Sequence, residues 1–210
     1  MIIKIIGDVH DYIEDYVEHL LETKYSVQVG DMGTQTQTYD HLVRYVPPEN
    51  HVFVPGNHDN YDNLPPHALG DFGMHQVGDL DFLFVRGAYS PDKDFRCKED
   101  SIKKFGKTWW AQEELSPNCD YQLLSMYENH QPSFVITHDC PDSILPELGE
   151  TFPATRTRAL LQKMLEVWQP KYWIFGHWHR DQVIEHFYTT FICLDQLSVC
   201  QWDTEQEAFV

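Results

Sequence analysis

The segment that decides the fold is residues 2–10, with the sequence IIKIIGDVH. Its first five residues are almost all β-branched, which is typical of a buried strand. Asp8 and His10 follow directly, at the carboxyl end of that strand. Residues 11–23 then carry apolar side chains at helical spacing, with acidic residues between them. A strand, a polar turn and a helix, in that order, predict the first unit of an α/β fold.

The same order continues in the residues that follow. A second strand is predicted at residues 25–29 and ends in Gly30-Asp31, and the next helix, at residues 39–46, ends before two prolines. A third strand at residues 51–54 runs into residues 55–59, PGNHD. Open α/β sheets bind ligands at the carboxyl ends of their strands, because the crossover connections leave a crevice there. We therefore expect the polar residues of these turns to meet at one edge of a sheet.

The second half of the chain predicts the same kind of structure after a less regular middle. Strands are predicted at residues 133–137 and 171–175, with a helix at residues 155–168 between them. The other expected elements are a hairpin at residues 74–77 and 80–85, a surface loop at residues 89–107, helices near residues 108–113 and 118–128, and a closing hairpin at residues 183–187 and 191–194. No repeat or linker is evident, so residues 1–210 are predicted to form a single domain.

The composition narrows the class of ligand. The 210 residues include 33 Asp or Glu and 15 Lys or Arg, which gives a formal net charge of −18. Binding to a long nucleic acid needs clustered cations, so such a partner is disfavoured, whereas a small phosphate-bearing substrate is compatible if metal ions supply positive charge. Five cysteines without a C-x-x-C pair predict a reducing compartment, the cytoplasm. The apolar run at the N-terminus is too short for a secretion signal or a membrane span, so no membrane association is expected.

Carboxylate, carboxamide and imidazole side chains follow five of the predicted strands. They are Asp8, His10, Asp31, Asn57, His58, Asp59, His138, His177 and His179. Taken singly, a Gly-Asp after a strand is more often a turn, and a histidine there is more often exposed. Together they point to a metal site, because three aspartates crowded at one edge would repel each other without cations. Such ligands suit Mn, Fe, Zn or Ni better than Mg or Ca, and we expect two divalent transition metal ions, with Mn as the first choice.

The polar blocks also resemble a known family in both content and order. The matching blocks are Gly7-Asp8-Val9-His10, Gly30-Asp31, Gly56-Asn57-His58-Asp59, Thr137-His138 and Gly176-His177-Trp178-His179. They resemble the calcineurin-like metallophosphoesterase superfamily. The resemblance implies a four-layer αββα sandwich, in which two mixed β-sheets are flanked by helices. It also implies a dinuclear phosphoesterase that hydrolyses phosphomonoester or phosphodiester bonds of small or nucleotide-like substrates.

The resemblance further implies a role for each of the polar residues. Asp8, His10 and His179 would bind the first metal; Asn57, His138 and His177 would bind the second; and Asp31 would bridge the two. In this scheme a metal-bridging hydroxide attacks phosphorus in line, and His58 protonates the leaving oxygen while Asp59 orients its ring and favours the imidazolium. Two alternatives are a protein serine/threonine phosphatase and a non-catalytic interaction module on the same fold.

One departure from the protein-phosphatase branch concerns an arginine. That branch continues its second block as Gly-Asp-x-Val-Asp-Arg-Gly, whereas residues 30–35 here read GDMGTQ. The arginine that grips phosphate in that branch is missing, which argues against protein substrates. Arg86, Arg156, Arg158 and Arg180 are possible substitutes, and Arg96 is expected to form surface salt bridges instead.

Overall fold

The structure is a computed structural model that describes residues 1–102 and 106–210. The strands are β1 Ile2–Ile6, β2 Tyr25–Gln28, β3 His51–Phe53, β4 Phe72–Val77, β5 Leu80–Val85, β6 Phe134–Thr137, β7 Tyr172–Phe175, β8 Gln182–His186, β9 Thr189–Cys193, β10 Val199–Asp203 and β11 Ala208–Phe209. The α-helices are α1 Ile13–Leu21, α2 Thr36–Tyr45, α3 Lys93–Ser101, α4 Asp120–His130 and α5 Arg156–Val167.

The strands form two mixed sheets. The first has the order β11-β10-β1-β2-β3, in which β1, β2 and β3 are parallel and β10 runs antiparallel to β1. The second has the order β4-β5-β6-β7-β9-β8, with a parallel centre and antiparallel edge strands. The parallel strands of each sheet bring several strand carboxyl ends to the same edge. The polar residues that follow these strands therefore lie close together.

Three apolar layers hold the sheets and helices together. Strand β7 shows how they arise, because side chains alternate along a strand: Ile174 packs between the two sheets, whereas Trp173 and Phe175 face α4 and α5. On the outer side of the first sheet, Tyr16 of α1 and Leu42 of α2 pack in the third layer. The predicted four-layer αββα sandwich, with two mixed β-sheets flanked by helices, is therefore confirmed.

Two parts of the chain differ from the prediction. The expected surface loop at residues 89–107 contains helix α3, and its residues 103–105 lie outside the described residues. The only buried residue of α3 is Arg96, so its sequence has no apolar stripe to reveal a helix. Near residues 108–113 there is only a short 3₁₀ turn, Ala111–Glu113. Strands β10 and β11 were not predicted, because β10 has a single fully buried side chain, Trp202, and so no clear alternation.

None of the helices in the described part of the chain has the length and apolar character that a bilayer crossing requires.

Candidate metal centre

The structure brings all nine strand-end residues to one place, where the carboxyl ends of the two sheets meet. Asp8 follows β1 in the first sheet and His177 follows β7 in the second, yet the backbone nitrogen of His177 donates to Oδ2 of Asp8 at 3.1 Å. Likewise, Nδ1 of His138 after β6 lies 3.0 Å from the carbonyl oxygen of Val29 after β2. The site therefore joins the two sheets.

The first group of ligand atoms comes from Asp8, His10 and His179. One atom from each lies within 4.8 Å of the other two. Nε2 of His10 is 2.9 Å from Nε2 of His179, and Nε2 of His179 is 3.2 Å from Oδ2 of Asp8. These are the three residues that the resemblance assigns to the first metal.

The second group comes from Asp31, His138 and His177, whose ligand atoms also lie within 4.8 Å of one another. Nε2 of His138 is 3.2 Å from Oδ1 of Asp31 and 3.0 Å from Oδ1 of Asn57. The other oxygen of Asp31, Oδ2, is 3.7 Å from Nε2 of His10 in the first group. Asp31 thus lies between the two groups, with one carboxylate oxygen towards each.

The donor chemistry of the second group fits a cation. The Val29 carbonyl can only accept a hydrogen bond, so Nδ1 of His138 carries the proton and Nε2 presents a lone pair. That lone pair faces two oxygens that are also acceptors, from Asn57 and Asp31, and only a proton or a cation can make this arrangement favourable. Burial opposes protonation of His138, but the Asp31 and Asp8 carboxylates outweigh it and raise the pKa of this imidazole to about 10. The two carboxylates that stabilise a proton on this ring would equally stabilise a cation in its place.

The backbone at several of these residues adopts a rare conformation. The φ angles of His10, Asp31, His177 and His179 are 48°, 56°, 67° and 48°, in the left-handed region that L-residues seldom occupy. Each such residue costs on the order of 1–3 kcal/mol, and strain of this kind concentrates at functional sites. Four strained residues in one cluster indicate that ligand positions, rather than local backbone preference, determine these turns.

Two glycines allow the turns to pass close to the ligands. A Cβ on Gly30, whose φ is 123°, would lie 2.6 Å from Cγ of His138, and a Cβ on Gly56 would lie 2.6 Å from Nε2 of the same ring. No other residue type fits at these positions without displacing the histidine.

His58 lies beside the two groups. Its backbone nitrogen donates to Oδ1 of Asp31 at 2.6 Å, and its ring centroid is 5.1 Å from that of His10. Burial lowers the pKa of this imidazole below its ordinary value, although the Asp31 carboxylate partly opposes the effect.

Asp59 has a different set of contacts from the one that the resemblance implied. Its carboxylate accepts hydrogen bonds from the backbone nitrogens of Asp31, Gly33 and Gly56 at 3.0, 3.1 and 2.6 Å, and from the Tyr39 hydroxyl at 3.1 Å. These bonds connect the turn after β2 to the turn after β3. Asp59 thus supports the loop that carries Asp31 and does not orient the His58 ring.

An open cleft of about 220 Å³ gives access to the centre. It is lined by His10, Asp31, Asn57, His58, Pro91, Asp92, His177, Trp178 and His179. Among the residues that the structure describes, no arginine or lysine is in this lining. A phosphate in the cleft would therefore depend on bound cations for its main electrostatic attraction.

The arginines considered as substitutes for the missing one point elsewhere. Arg86 pairs with Asp71 at 2.7 Å, Arg156 pairs with Asp120 at 2.6 Å, Arg158 pairs with Asp142 at 3.0 Å and Arg180 pairs with Glu150. Arg96 is not a surface residue: it is 4% exposed, and its guanidinium donates to Ser90 Oγ and to the backbone oxygens of Asn57 and Thr108. Arg96 does pair with a neighbouring acid, since its Nη1 lies 3.9 Å from Oδ1 of Asp92, but the expected surface position was wrong, because α3 folds it against the site.

Sequence reasoning missed the residues that support the ligands. Nε1 of Trp178 donates to Oδ1 of Asp139 at 2.9 Å and so connects the turn after β7 to the turn after β6. The Arg158 guanidinium lies 5.7 Å from the centroid of the Trp178 ring, within cation–π range. Both Trp178 and Asp139 are next to ligands in the sequence, which could have revealed them. Arg158 was considered only as a phosphate ligand, and no sequence signal pointed to its contact with Trp178 or to the role of Tyr39, because only the tertiary fold brings these residues near.

Comparison with known proteins agrees with this geometry. The model of the calcineurin-like phosphoesterase family matches residues 1–181, and the chain belongs to that family. The family binds divalent metals, and the two ligand groups are candidate clusters for them. No curated protein sequence matches the chain.

Two solved structures illustrate the similarity of fold. A candidate 5′-nucleotidase from Staphylococcus aureus, in complex with alpha-ketoglutarate, aligns with a TM-score of 0.54 and 15% identity. The alignment covers 99% of this chain and 52% of that one, so the chain spans about half the length of this neighbour. A hypothetical protein from Thermus thermophilus aligns with a TM-score of 0.50 and 14% identity over 92% of this chain and 75% of that one. At these identities the likeness concerns the fold alone.

Proposed function

We propose that the chain is a dinuclear metal-dependent phosphoesterase that acts on small or nucleotide-like phosphomonoesters or phosphodiesters. The observation that carries this proposal is the presence of two groups of ligand atoms with the Asp31 carboxylate between them. The ligand atoms of each group lie within 4.8 Å of one another. Membership of the calcineurin-like phosphoesterase family supports a hydrolase. The negative charge of the pocket and the strained backbone at the ligands support a site built for cations.

Seven residues would hold the two ions. Asp8, His10 and His179 would bind the first, Asn57, His138 and His177 would bind the second, and Asp31 would bind both. Two divalent cations, when bound, stabilise the charge that develops on a transferring phosphoryl group and lower the pKa of water. The mixed imidazole, carboxamide and carboxylate ligands favour Mn, Fe, Zn or Ni, with Mn as the first choice.

His58 is the residue that we assign to proton transfer. Its ring lines the cleft beside the ligands, and burial keeps the pKa of the free imidazole low. A negatively charged phosphate in the cleft would favour the imidazolium, because an opposite charge nearby stabilises the protonated form. His58 would then hydrogen-bond the phosphate and give its proton to the leaving oxygen. Asp59 would contribute indirectly, by holding the loop that carries Asp31.

The dimensions and charge of the site favour a small substrate. The cleft measures about 220 Å³ and has no described arginine or lysine in its lining. The net charge of −18 opposes the binding of a long polyanion, whose affinity depends on clustered cations. A small phosphoester would fit the volume of the cleft and would avoid the repulsion that a long polyanion meets, because only its phosphate group has to approach the cations.

We also propose that the protein acts in the cytoplasm. All five cysteines lie among the described residues and are free thiols. Burial raises the pKa of Cys140 and Cys193, which keeps these thiols protonated and unreactive. Thiols of this kind are typical of proteins in a reducing compartment.

Paired hydrolysis assays test the proposed function. Metal-stripped protein is given Mn, Ni, Zn or Mg and is offered an aryl phosphomonoester, the matching bis-aryl diester or a phosphopeptide. We expect activity on an aryl ester that chelation abolishes and that Mn restores. The relative rates on the three substrates distinguish monoesterase, diesterase and protein phosphatase.

Two variants separate metal binding from turnover. His177→Ala should lose the second cation, whereas His58→Ala should retain both cations and lose turnover. Full hydrolysis by the metal-stripped protein would contradict the proposal, as would the absence of transition-metal uptake in calorimetry, which would favour an interaction module.

A further inference from the structure

Behind Asn57, on the side away from the metal centre, lies a group of buried polar residues that the proposed function does not use. Ser90, Glu113 and Arg96 are 0%, 3% and 4% exposed. They come from three separate places: the segment after β5, the 3₁₀ turn Ala111–Glu113 and helix α3. Polar groups this deeply buried are costly unless they are fully hydrogen-bonded. Glu113, Arg96 and the Asn57 amide all contact the Ser90 hydroxyl, which indicates a specific role for this group.

We propose that Ser90, Glu113 and Arg96 are positioning residues that fix the orientation of the Asn57 carboxamide, so that its oxygen faces the second cation. This inference rests on the proposed function only in taking Asn57 as a ligand.

The hydrogen bonds of the Ser90 hydroxyl have one consistent assignment. Oγ lies 2.6 Å from Oε2 of Glu113, 2.7 Å from Nη1 of Arg96 and 3.1 Å from Nδ2 of Asn57. A hydroxyl has one proton and two lone pairs. The Glu113 carboxylate must receive that proton, because it can only accept. Both lone pairs then accept, one from Arg96 and one from Asn57.

This assignment determines which end of the Asn57 amide faces the metal centre. Because Ser90 has no second proton to donate, the group that faces it must be the NH₂ of Asn57. Oδ1 of Asn57 is then left on the opposite side, 3.0 Å from Nε2 of His138. Nη2 of Arg96 also donates to the backbone oxygen of Asn57 at 3.2 Å, which holds the main chain in place.

The reversed amide would have no ligand to offer. Its NH₂ group would face the second cation, and its oxygen would face the lone pairs of Ser90. Residues that orient a metal ligand in this way typically change metal affinity by about 10- to 100-fold when they are removed. In Ser90→Ala we expect the metal affinity of the second site to fall by that factor, and the metal affinity of the first site to be unchanged.

A comparison of two backgrounds isolates this role. Calorimetric titration of the metal-stripped protein with Mn²⁺ is carried out for the wild type, Ser90→Ala, Asn57→Asp and the double variant Asn57→Asp/Ser90→Ala. A carboxylate presents an oxygen on both sides, so it needs no orientation. In the Asn57→Asp background, Ser90→Ala should therefore change the Mn²⁺ affinity of the second site by no more than about twofold. A change of this size is the deviation expected for mutations that act independently.

A matched control and a second variant keep the test decisive. Ser26 is another fully buried serine, with its hydroxyl 2.9 Å from Nδ1 of His51 in the first sheet, and Ser26→Ala should leave both metal affinities unchanged. If Ser90→Ala does not fold, Glu113→Gln replaces it, with a smaller loss in the same direction, because the neutral amide releases the Ser90 proton.

The outcomes separate this inference from the proposed function. Equal losses from Ser90→Ala in both backgrounds would overturn it, as would no loss in the wild-type background or the absence of a second Mn²⁺ site. Two-cation binding without hydrolysis would contradict the proposed function, yet the affinity difference between the backgrounds would still establish the positioning role.

Discussion

Replacing Gly56 by alanine tests whether the metal centre needs the close approach of the turn after β3. An alanine Cβ would lie closest to Oδ1 of Asp31, and 2.6 Å from Nε2 of His138. The φ angle of Gly56 is outside the left-handed region, so backbone strain does not complicate the experiment. The substitution therefore adds one methyl group directly against two predicted ligands.

The size of the effect follows from the overlap. Ordinary contact between such heavy atoms is about 3.5 Å, so the 2.6 Å approach requires a movement of about 0.9 Å. A metal site tolerates deviations of only about 0.2 Å in its ligand distances. We expect the second cation to bind at least about 100-fold more weakly, which corresponds to about 2.8 kcal/mol. Overpacking should also lower the free energy of unfolding of the metal-free protein by about 1–3 kcal/mol.

Calorimetric titration with Mn²⁺ and urea unfolding in the presence of a chelator measure the two effects separately. Gly70→Ala is the matched control, because a Cβ on Gly70 has no heavy atom within 4 Å. It should leave both the metal affinity and the stability unchanged. Wild-type affinity for both cations in Gly56→Ala would refute the reasoning, as would an equal loss in the control.

Three further predictions concern other parts of the structure. Trp178→Phe keeps an aromatic side chain but removes the 2.9 Å hydrogen bond to Asp139, and calorimetry should show metal affinity reduced by roughly tenfold; unchanged affinity would argue against this contact. Trp202 packs edge-on against Phe134 with ring centroids 4.7 Å apart, so Trp202→Ala should lower the free energy of unfolding by about 3–5 kcal/mol, without changing the metal affinity of the folded protein. Burial, with a contribution from a neighbouring histidine, lowers the pKa of His51 from 6.5 to about 4, so the folded state binds fewer protons than the unfolded state between these values. Stability should therefore fall as the pH is lowered through this range, and urea unfolding of His51→Gln should show a shallower slope, whereas an identical slope would contradict the assignment.

The strands that carry the ligands could be predicted because two independent signals coincide in the sequence. The run of residues 2–6 has the β-branched character of a buried strand, and Asp8 and His10 lie within four residues of its end. Asp31 lies three residues after β2, and His138 follows β6 directly. In a parallel sheet these ends share an edge, which accounts for the grouping within each sheet. That the two sheets bring their groups together was expected only from the family resemblance.

The supporting residues could not be predicted, because their role depends on contacts between distant segments. Arg96 belongs to a helix whose sequence has no apolar stripe, and only the tertiary fold shows that it packs behind Asn57. The family resemblance assigned Asp59 to the His58 ring, and the sequence holds no signal for the contacts that its carboxylate makes. In the structure the Asp59 carboxylate accepts from backbone nitrogens of two separate turns instead.

Two features of the metal centre oppose folding in the absence of cations: the charge of Asp59 and the strained ligand turns. Burial disfavours ionisation of both Asp8 and Asp31, but the charge of His138 outweighs this effect and holds the pKa of both carboxyls below the ordinary value. Burial and the Asp31 charge raise the pKa of Asp59 to about 7, which shows that the cluster resists a third negative charge. The left-handed turns at His10 and Asp31 add strain to this repulsion. Cations that bind the folded state and neutralise the cluster would stabilise the fold through the free energy of binding. Since the ligand turns connect the two sheets, that stabilisation would act on the interface between the sheets as well as on the centre itself.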